Sequence, residues 1–177
     1  RFDQLGGGID YKRWPLTEDG VSLYWNGLNR GKKSVAADLR APEIQILLSE
    51  LIATSGNFLT NFPAKGWLSY EKLSEKRPDL VMVAITGSHD GTTAVDYTIN
   101  CAVGIPSITG HVDDPRPVNH SLPAWDIICG QTAALGMIAA DRYRTQTGKG
   151  QLVGLALSDV ALAAVAWRGD LSEVELG

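Results

Sequence analysis

The residue whose type and place most invite chemistry is Asp126. It ends the stretch Asn119-His120-Ser121-Leu122-Pro123-Ala124-Trp125-Asp126 and opens a long apolar segment. A carboxylate there has two readings. It stabilises the positive end of the helix that follows, or it is a nucleophile, its anion and any oxyanion formed at it favoured by nearby backbone N–H groups. His120 stands six residues earlier. It is a group that holds a substrate carboxylate or acts as a base, or it is a loop histidine with no role. His89 and His111 are scattered, and no histidine stands at a metal-ligand spacing from a cysteine, so no metal site is expected.

Positive charge gathers in Asn29-Arg30-Gly31-Lys32-Lys33 and at Arg40. A solvated turn is one reading; recognition of phosphates is the other, Arg giving a forked contact and Lys a point charge. Gly6-Gly7-Gly8 can take unusual backbone angles and let a phosphate approach, but it matches neither the dinucleotide fingerprint nor the P-loop. Trp14, Trp25, Trp67 and Trp125 either pack ordinarily or line a pocket.

The elements that must position these groups alternate. Residues 1–33 read mostly as loop. Ser34 to Leu39 reads as a short strand. A helix starts at Ala41-Pro42-Glu43, carries Ile44, Leu47, Leu48 and Leu51 at helical spacing, and stops near Gly56. Phe58 to Phe62 reads as a strand, Ser69 as the cap of a second helix, and Leu80 to Thr86 as a strand covered on both faces. Residues 87–123 are rich in turn formers and read as a long loop with little regular structure. A long helix then runs from Ala124 to Gly148, Gln151 to Leu157 is a strand, and Ser158-Asp159 caps a last helix through Ala166. This order predicts an α/β domain with a largely parallel sheet, whose ligands bind beyond the carboxyl ends of the strands. Asn61, Phe62 and the loop after Thr86 fall at such ends.

Composition sets the bounds. The chain has 177 residues, 44% of them hydrophobic and 20% charged, which suits one domain or most of one. A net charge of −4 argues against nucleic acid as a partner. The most apolar stretch, Leu152 to Trp167, is split by Ser158 and Asp159, so no membrane span is expected. Two cysteines, Cys101 and Cys129, are too few for a disulfide scaffold, and a cytoplasmic setting follows.

Three stretches together resemble family III CoA-transferases. They are Ser22-Leu23-Tyr24-Trp25-Asn26-Gly27-Leu28-Asn29-Arg30-Gly31-Lys32-Lys33-Ser34-Val35 with Asp38-Leu39-Arg40 and Pro42-Glu43; Phe58-Leu59-Thr60-Asn61-Phe62; and Asp126 through Thr147-Gly148-Lys149-Gly150-Gln151. The resemblance implies a Rossmann-like large domain, incomplete at both ends over residues 1–177, that lacks the opening strand and helix and the small domain. It implies an interlocked homodimer when full length. It makes Asp126 the catalytic carboxylate, which forms covalent acyl and CoA intermediates, and coenzyme A a part of the substrate with no tightly bound cofactor. CoA contacts map to Gln4, Ala37, Arg40, Asn61 and Phe62. The family's longer stretch after the Asn-Phe pair, which carries an Arg, is shortened here, so no Arg is carried over.

Arg1-Phe2-Asp3-Gln4, Asp10-Tyr11-Lys12-Arg13-Trp14-Pro15, Asn61 to Trp67, Asp96-Tyr97-Thr98 and Asn119 to Asp126 narrow the likeness. They resemble a branch that moves CoA between the two carboxylates of one mesaconate molecule, in the 3-hydroxypropionate cycle. Transfer between two separate acids, and an inactive CoA-binding fragment, are the alternatives.

Overall fold

The computed structural model describes residues 1–169. The chain divides into two compact units, Arg1–Leu51 and Ile52–Gly177.

In the first unit, β1 (Phe2–Gln4) and β2 (Val35–Ala37) form a two-stranded parallel sheet with Gln4 opposite Ala37. Between them the chain is more regular than its composition predicts. A 3-10 turn spans Ile9–Lys12 and a helix, α1, spans Leu23–Asn29. Ser22 starts α1: its Oγ accepts the Trp25 N–H at 3.0 Å and donates to the Arg13 carbonyl at 2.5 Å. Reading residues 1–33 as loop overlooked this cap, because seven helical residues are too short to show a period. The next helix, α2 (Pro42–Ser55), begins in this unit with Pro42 at its first position and Glu43 in its first turn. Its buried positions include Leu48 and Ile52, whereas Leu47 and Leu51 of the expected face are exposed.

In the second unit, β3 (Asn57–Thr60), β4 (Val81–Thr86) and β5 (Gln151–Ala156) form a parallel sheet in the order β3-β4-β5. The central strand is the continuously apolar one. Leu80 to Val83 are fully buried, as a strand with both faces covered requires. Ser69 caps α3 (Tyr70–Lys76) as the sequence predicts. The long helix α5 (Ala124–Thr147) ends at Gly148, whose φ of 71° is the left-handed cap conformation. The last helix, α6 (Leu157–Trp167), has no side-chain cap. Ser158 instead accepts the His89 N–H and holds the loop after β4, which corrects the expected Ser158-Asp159 cap.

The segment 87–123 is the larger correction. It contains α4 (Asp96–Ala102) and a 3-10 turn over Ile105–Ile108. Val95, Ile99 and Val103 recur at intervals of four, a period masked by the turn formers around them. Ile99 joins Trp125, Cys129, Leu157, Val160 and Ala161 in a buried cluster that seats α4 against α5 and α6.

At Gly150 the chain passes close to its own main chain. A Cβ there meets the Leu80 carbonyl oxygen at 2.2 Å and the Asp79 carbonyl carbon at 2.6 Å, both main chain and unable to yield. Next to it the Gln151 N–H donates to that same Leu80 oxygen at 3.0 Å, so the contact sets the start of β5 on β4. Gly150→Ala is therefore expected to cost about 3 kcal/mol in denaturant unfolding. Gly154→Ala, within β5 itself and with nothing within 4 Å of the added carbon, is expected to stay within about 0.5 kcal/mol of the parent. Equal effects of the two contradict this account of the strand.

Candidate active site

The start of α5 poses a problem that local sequence does not solve. A helix leaves its first N–H groups without partners, and the residue at the cap position is Pro123, which has no polar side chain. The partner comes from another element. Asp96, the first residue of α4, is 2% exposed, and its Oδ2 accepts the Trp125 N–H at 2.8 Å and the Asp126 N–H at 3.1 Å. Its Oδ1 lies 2.6 Å from His120 Nε2. A buried carboxylate is costly unless it is hydrogen-bonded, and hydrogen bonds to a charged group contribute about 1.5–3 kcal/mol each. Three donors and the positive helix end offset that cost here.

A second polar layer holds the same segment. The Trp125 indole N–H donates to Asn100 Oδ1 at 3.0 Å, and the Asn100 amide donates to Asn119 Oδ1. Asn119 Oδ1 also accepts the His120 N–H at 3.0 Å. Asn100 is completely buried, one turn beyond Asp96 on α4. Tyr97 stands edge-on to the His120 ring and Trp125 is tilted to it, with centroids at 5.7 and 6.3 Å. His120, Trp125 and the backbone of Asp126 are thus fixed by one pair of side chains, Asp96 and Asn100.

Asp126 itself lies in the first turn of α5 and is exposed. The structure corrects one expectation about it. The N–H groups of Trp125 and Asp126 are engaged by Asp96, and that of Ile127 by the Pro123 carbonyl at 3.1 Å. The helix start therefore positions the carboxylate, and these N–H groups do not serve an oxyanion formed on it.

In the first unit the parallel strands place Gln4 and Ala37 side by side at their carboxyl ends. With Leu5, Asp38, Leu39 and Arg40 they line a shallow cleft of about 250 Å³. Three of the sequence-predicted contact residues, Gln4, Ala37 and Arg40, thus share one surface. The turn that bears Arg40 is fixed by its N–H, which donates to Asp38 Oδ1 at 3.0 Å. Gly6 and Gly7 have φ of 84° and 76°, and the Gly7 carbonyl accepts the Gln4 amide at 3.3 Å. The glycines thus turn the chain back on Gln4, and the Tyr11 ring covers Gly7. Of the basic cluster, Lys32 caps α1 through the Leu28 carbonyl at 2.8 Å, which favours a structural role for that residue.

Asn61 and Phe62 follow β3 directly at its carboxyl end, both exposed, with the Phe62 N–H on Thr60 Oγ1 at 3.0 Å. Trp125 is core; Trp14 is exposed; Trp25 packs on Tyr11 and under the Arg1 guanidinium. Among the described residues no group of His, Cys, Asp or Glu is arranged to hold a metal ion, and no helix is long and apolar enough to cross a membrane. Asp96, Asn100 and Asn119 were missed as site residues, because each acts on a partner far along the chain.

Parallel sheets flanked by helices, with charged groups beyond the strand ends, define an α/β ligand-binding fold. The chain belongs to CoA-transferase family III, whose sequence profile matches residues 6–170. It is 55% identical to 2-methylfumaryl-CoA isomerase of Chloroflexus aurantiacus, over 98% of this chain and 44% of that protein. It is 34% identical to succinate–glutarate CoA-transferase of Agrobacterium fabrum, over 90% of this chain and 44% of that protein. A CAIB/BAIF family protein from Brucella suis superposes with a TM-score of 0.84 at 27% identity, over 96% of this chain and 48% of its own. The chain thus spans less than half the length of these relatives.

Cys129 lies three residues beyond Asp126 on α5 and is buried in the core cluster. Burial and the negative charge of Asp126 push its thiol up to about 11. Cys101 is exposed. At pH 8 only about one Cys129 in a thousand is thiolate, the reactive form. Iodoacetamide followed by peptide mass spectrometry is expected to label Cys101 in the native protein and Cys129 only after denaturation. Equal native labelling contradicts the packing around Asp126.

Proposed function

We propose that the intact protein is an intramolecular CoA-transferase that converts 2-methylfumaryl-CoA, the C1 thioester of mesaconate, into its C4 thioester. The observation that carries this reading is the 55% identity to the isomerase along nearly the whole chain. The chain is then part of the large domain, and Asp126 is the nucleophile.

In this reading the Asp126 carboxylate attacks the C1 thioester carbonyl. The carbon–sulfur bond breaks, CoA thiolate leaves, and a mixed aspartyl anhydride forms. The thiolate then attacks the aspartyl carbonyl and expels mesaconate, leaving an aspartyl-CoA thioester. Mesaconate stays bound and attacks through its C4 carboxylate, which releases the thiolate and forms the second anhydride. Attack of the thiolate at C4 gives the product and restores Asp126. A carboxylate suits these steps because it is both nucleophile and leaving group. Retaining the acid keeps the second half effectively unimolecular. Coenzyme A enters as part of the substrate, and its contacts in this reading are Gln4, Ala37 and Arg40 of the first unit and Asn61 and Phe62 of the second. His120 contacts a substrate carboxylate. The exposed Leu135 and Ile138 on α5 favour a homodimer that covers them. The reading places the enzyme in the cytoplasm.

The 34% identity to a succinate–glutarate transferase favours a second reading, transfer between two separate acids. The two separate in one assay of the intact protein with mesaconyl-C1-CoA and labelled free mesaconate. The isomerase reading predicts C1-to-C4 conversion with little label in the CoA ester. Label entering at the rate of turnover overturns it in favour of the second. Asp126→Ala is expected to lower kcat at least about 10³-fold with the fold intact; retained activity removes Asp126 as nucleophile.

A further inference from the structure

We infer that Asp96 is a positioning residue for this reaction, setting both the backbone that presents Asp126 and the ring nitrogen that His120 offers to substrate. The inference rests on the proposed transferase reading for its link to turnover.

Asp96 Oδ2 takes the Trp125 and Asp126 N–H groups while Oδ1 takes His120 Nε2. An ionised carboxylate only accepts hydrogen bonds, so an ionised Asp96 selects the His120 tautomer with its proton on Nε2. Nδ1 is then the one ring atom whose role changes, an acceptor when the ring is neutral and a donor when it is charged. Asp96 is 2% exposed, and His120 keeps 19% of its side-chain surface open, so the ring is held at Nε2 by a buried group while part of its side chain meets solvent. Tyr97 and Trp125 leave it little room to turn. Asn100 holds Asn119 and Trp125 independently of Asp96, so the segment keeps an anchor when Asp96 is changed conservatively.

This separates two variants. In Asp96→Asn the side-chain oxygen can still accept the two backbone N–H groups, so the start of α5 keeps its partner. The side-chain amide now donates toward His120 Nε2, which must become an acceptor and send its proton to Nδ1. Asp96→Ala removes the helix partner and the ring partner together. A purely structural role predicts that Asn behaves as the parent; a positioning role predicts that it folds as the parent and turns over poorly.

The test uses the intact protein carrying 15N-labelled histidine, with His120→Gln to assign the ring signals. The expected result is an Nε2-protonated His120 in the parent and an Nδ1-protonated one in Asp96→Asn. The melting temperature should shift by less than about 3 °C. With mesaconyl-C1-CoA as substrate, kcat should fall at least about tenfold while KM changes less than about twofold. An unchanged tautomer in Asp96→Asn overturns the inference, as does a kcat within twofold of the parent. If the parent shows no turnover of this substrate, the proposed function fails, and the ring signals alone then decide what Asp96 does to His120.

Discussion

A buried carboxylate holds the start of the helix that carries Asp126. Asp96 comes from α4, satisfies the start of α5, which has no cap of its own, and braces His120. Without an acceptor at that point the long helix would start with bare N–H groups beneath the core cluster of Ile99, Trp125 and Cys129. Burying the charge is tolerable only because three donors converge on it. The cluster in turn depends on α4 being a helix, since Ile99 reaches Trp125 only from that face. Packing and polar satisfaction therefore specify the same arrangement, which is the consistency that defines a unique local structure.

The same device reassigns the duties of the helix end. A helix N-terminus can stabilise an anion through its free N–H groups. Here those groups are engaged by Asp96 and by the Pro123 carbonyl, so this end of α5 orients a carboxylate instead. The separate cleft of Gln4, Ala37 and Arg40 belongs to another part of the chain and arises differently. Parallel strands bring their carboxyl ends to one edge, and the residues there gather whatever lies between them in sequence.

Much of the frame was legible in the residues. The strands from Leu80 to Thr86 and from Gln151 onward, the Ser69 cap, and the long helix ending at Gly148 are local signals, and the structure has them within a residue or two. What was not legible shares one property: it depends on partners distant in sequence. Ser158 looks like a cap and instead ties down the loop at His89. Segment 87–123 looks like loop because Gly87 and Gly91 before it and Gly104 and Pro106 after it surround a seven-residue helix. Asp96 shows in the sequence only as part of a family-like stretch, and its role emerges when the fold brings it to Trp125, 29 positions later. Asp126 and His120 were legible as candidates from residue type and place, and Gln4, Ala37 and Arg40 as contacts through family likeness, whereas the anchors behind Asp126 and His120 were not.

The central claim is that Asp126 becomes covalently acylated, and it can be tested directly. The intact protein is mixed with mesaconyl-C1-CoA, quenched with hydroxylamine and digested for mass spectrometry. The account predicts a hydroxamate on the peptide that carries Asp126, with the modification on that residue. A hydroxamate on another residue, or its absence while C1-to-C4 conversion proceeds, contradicts it.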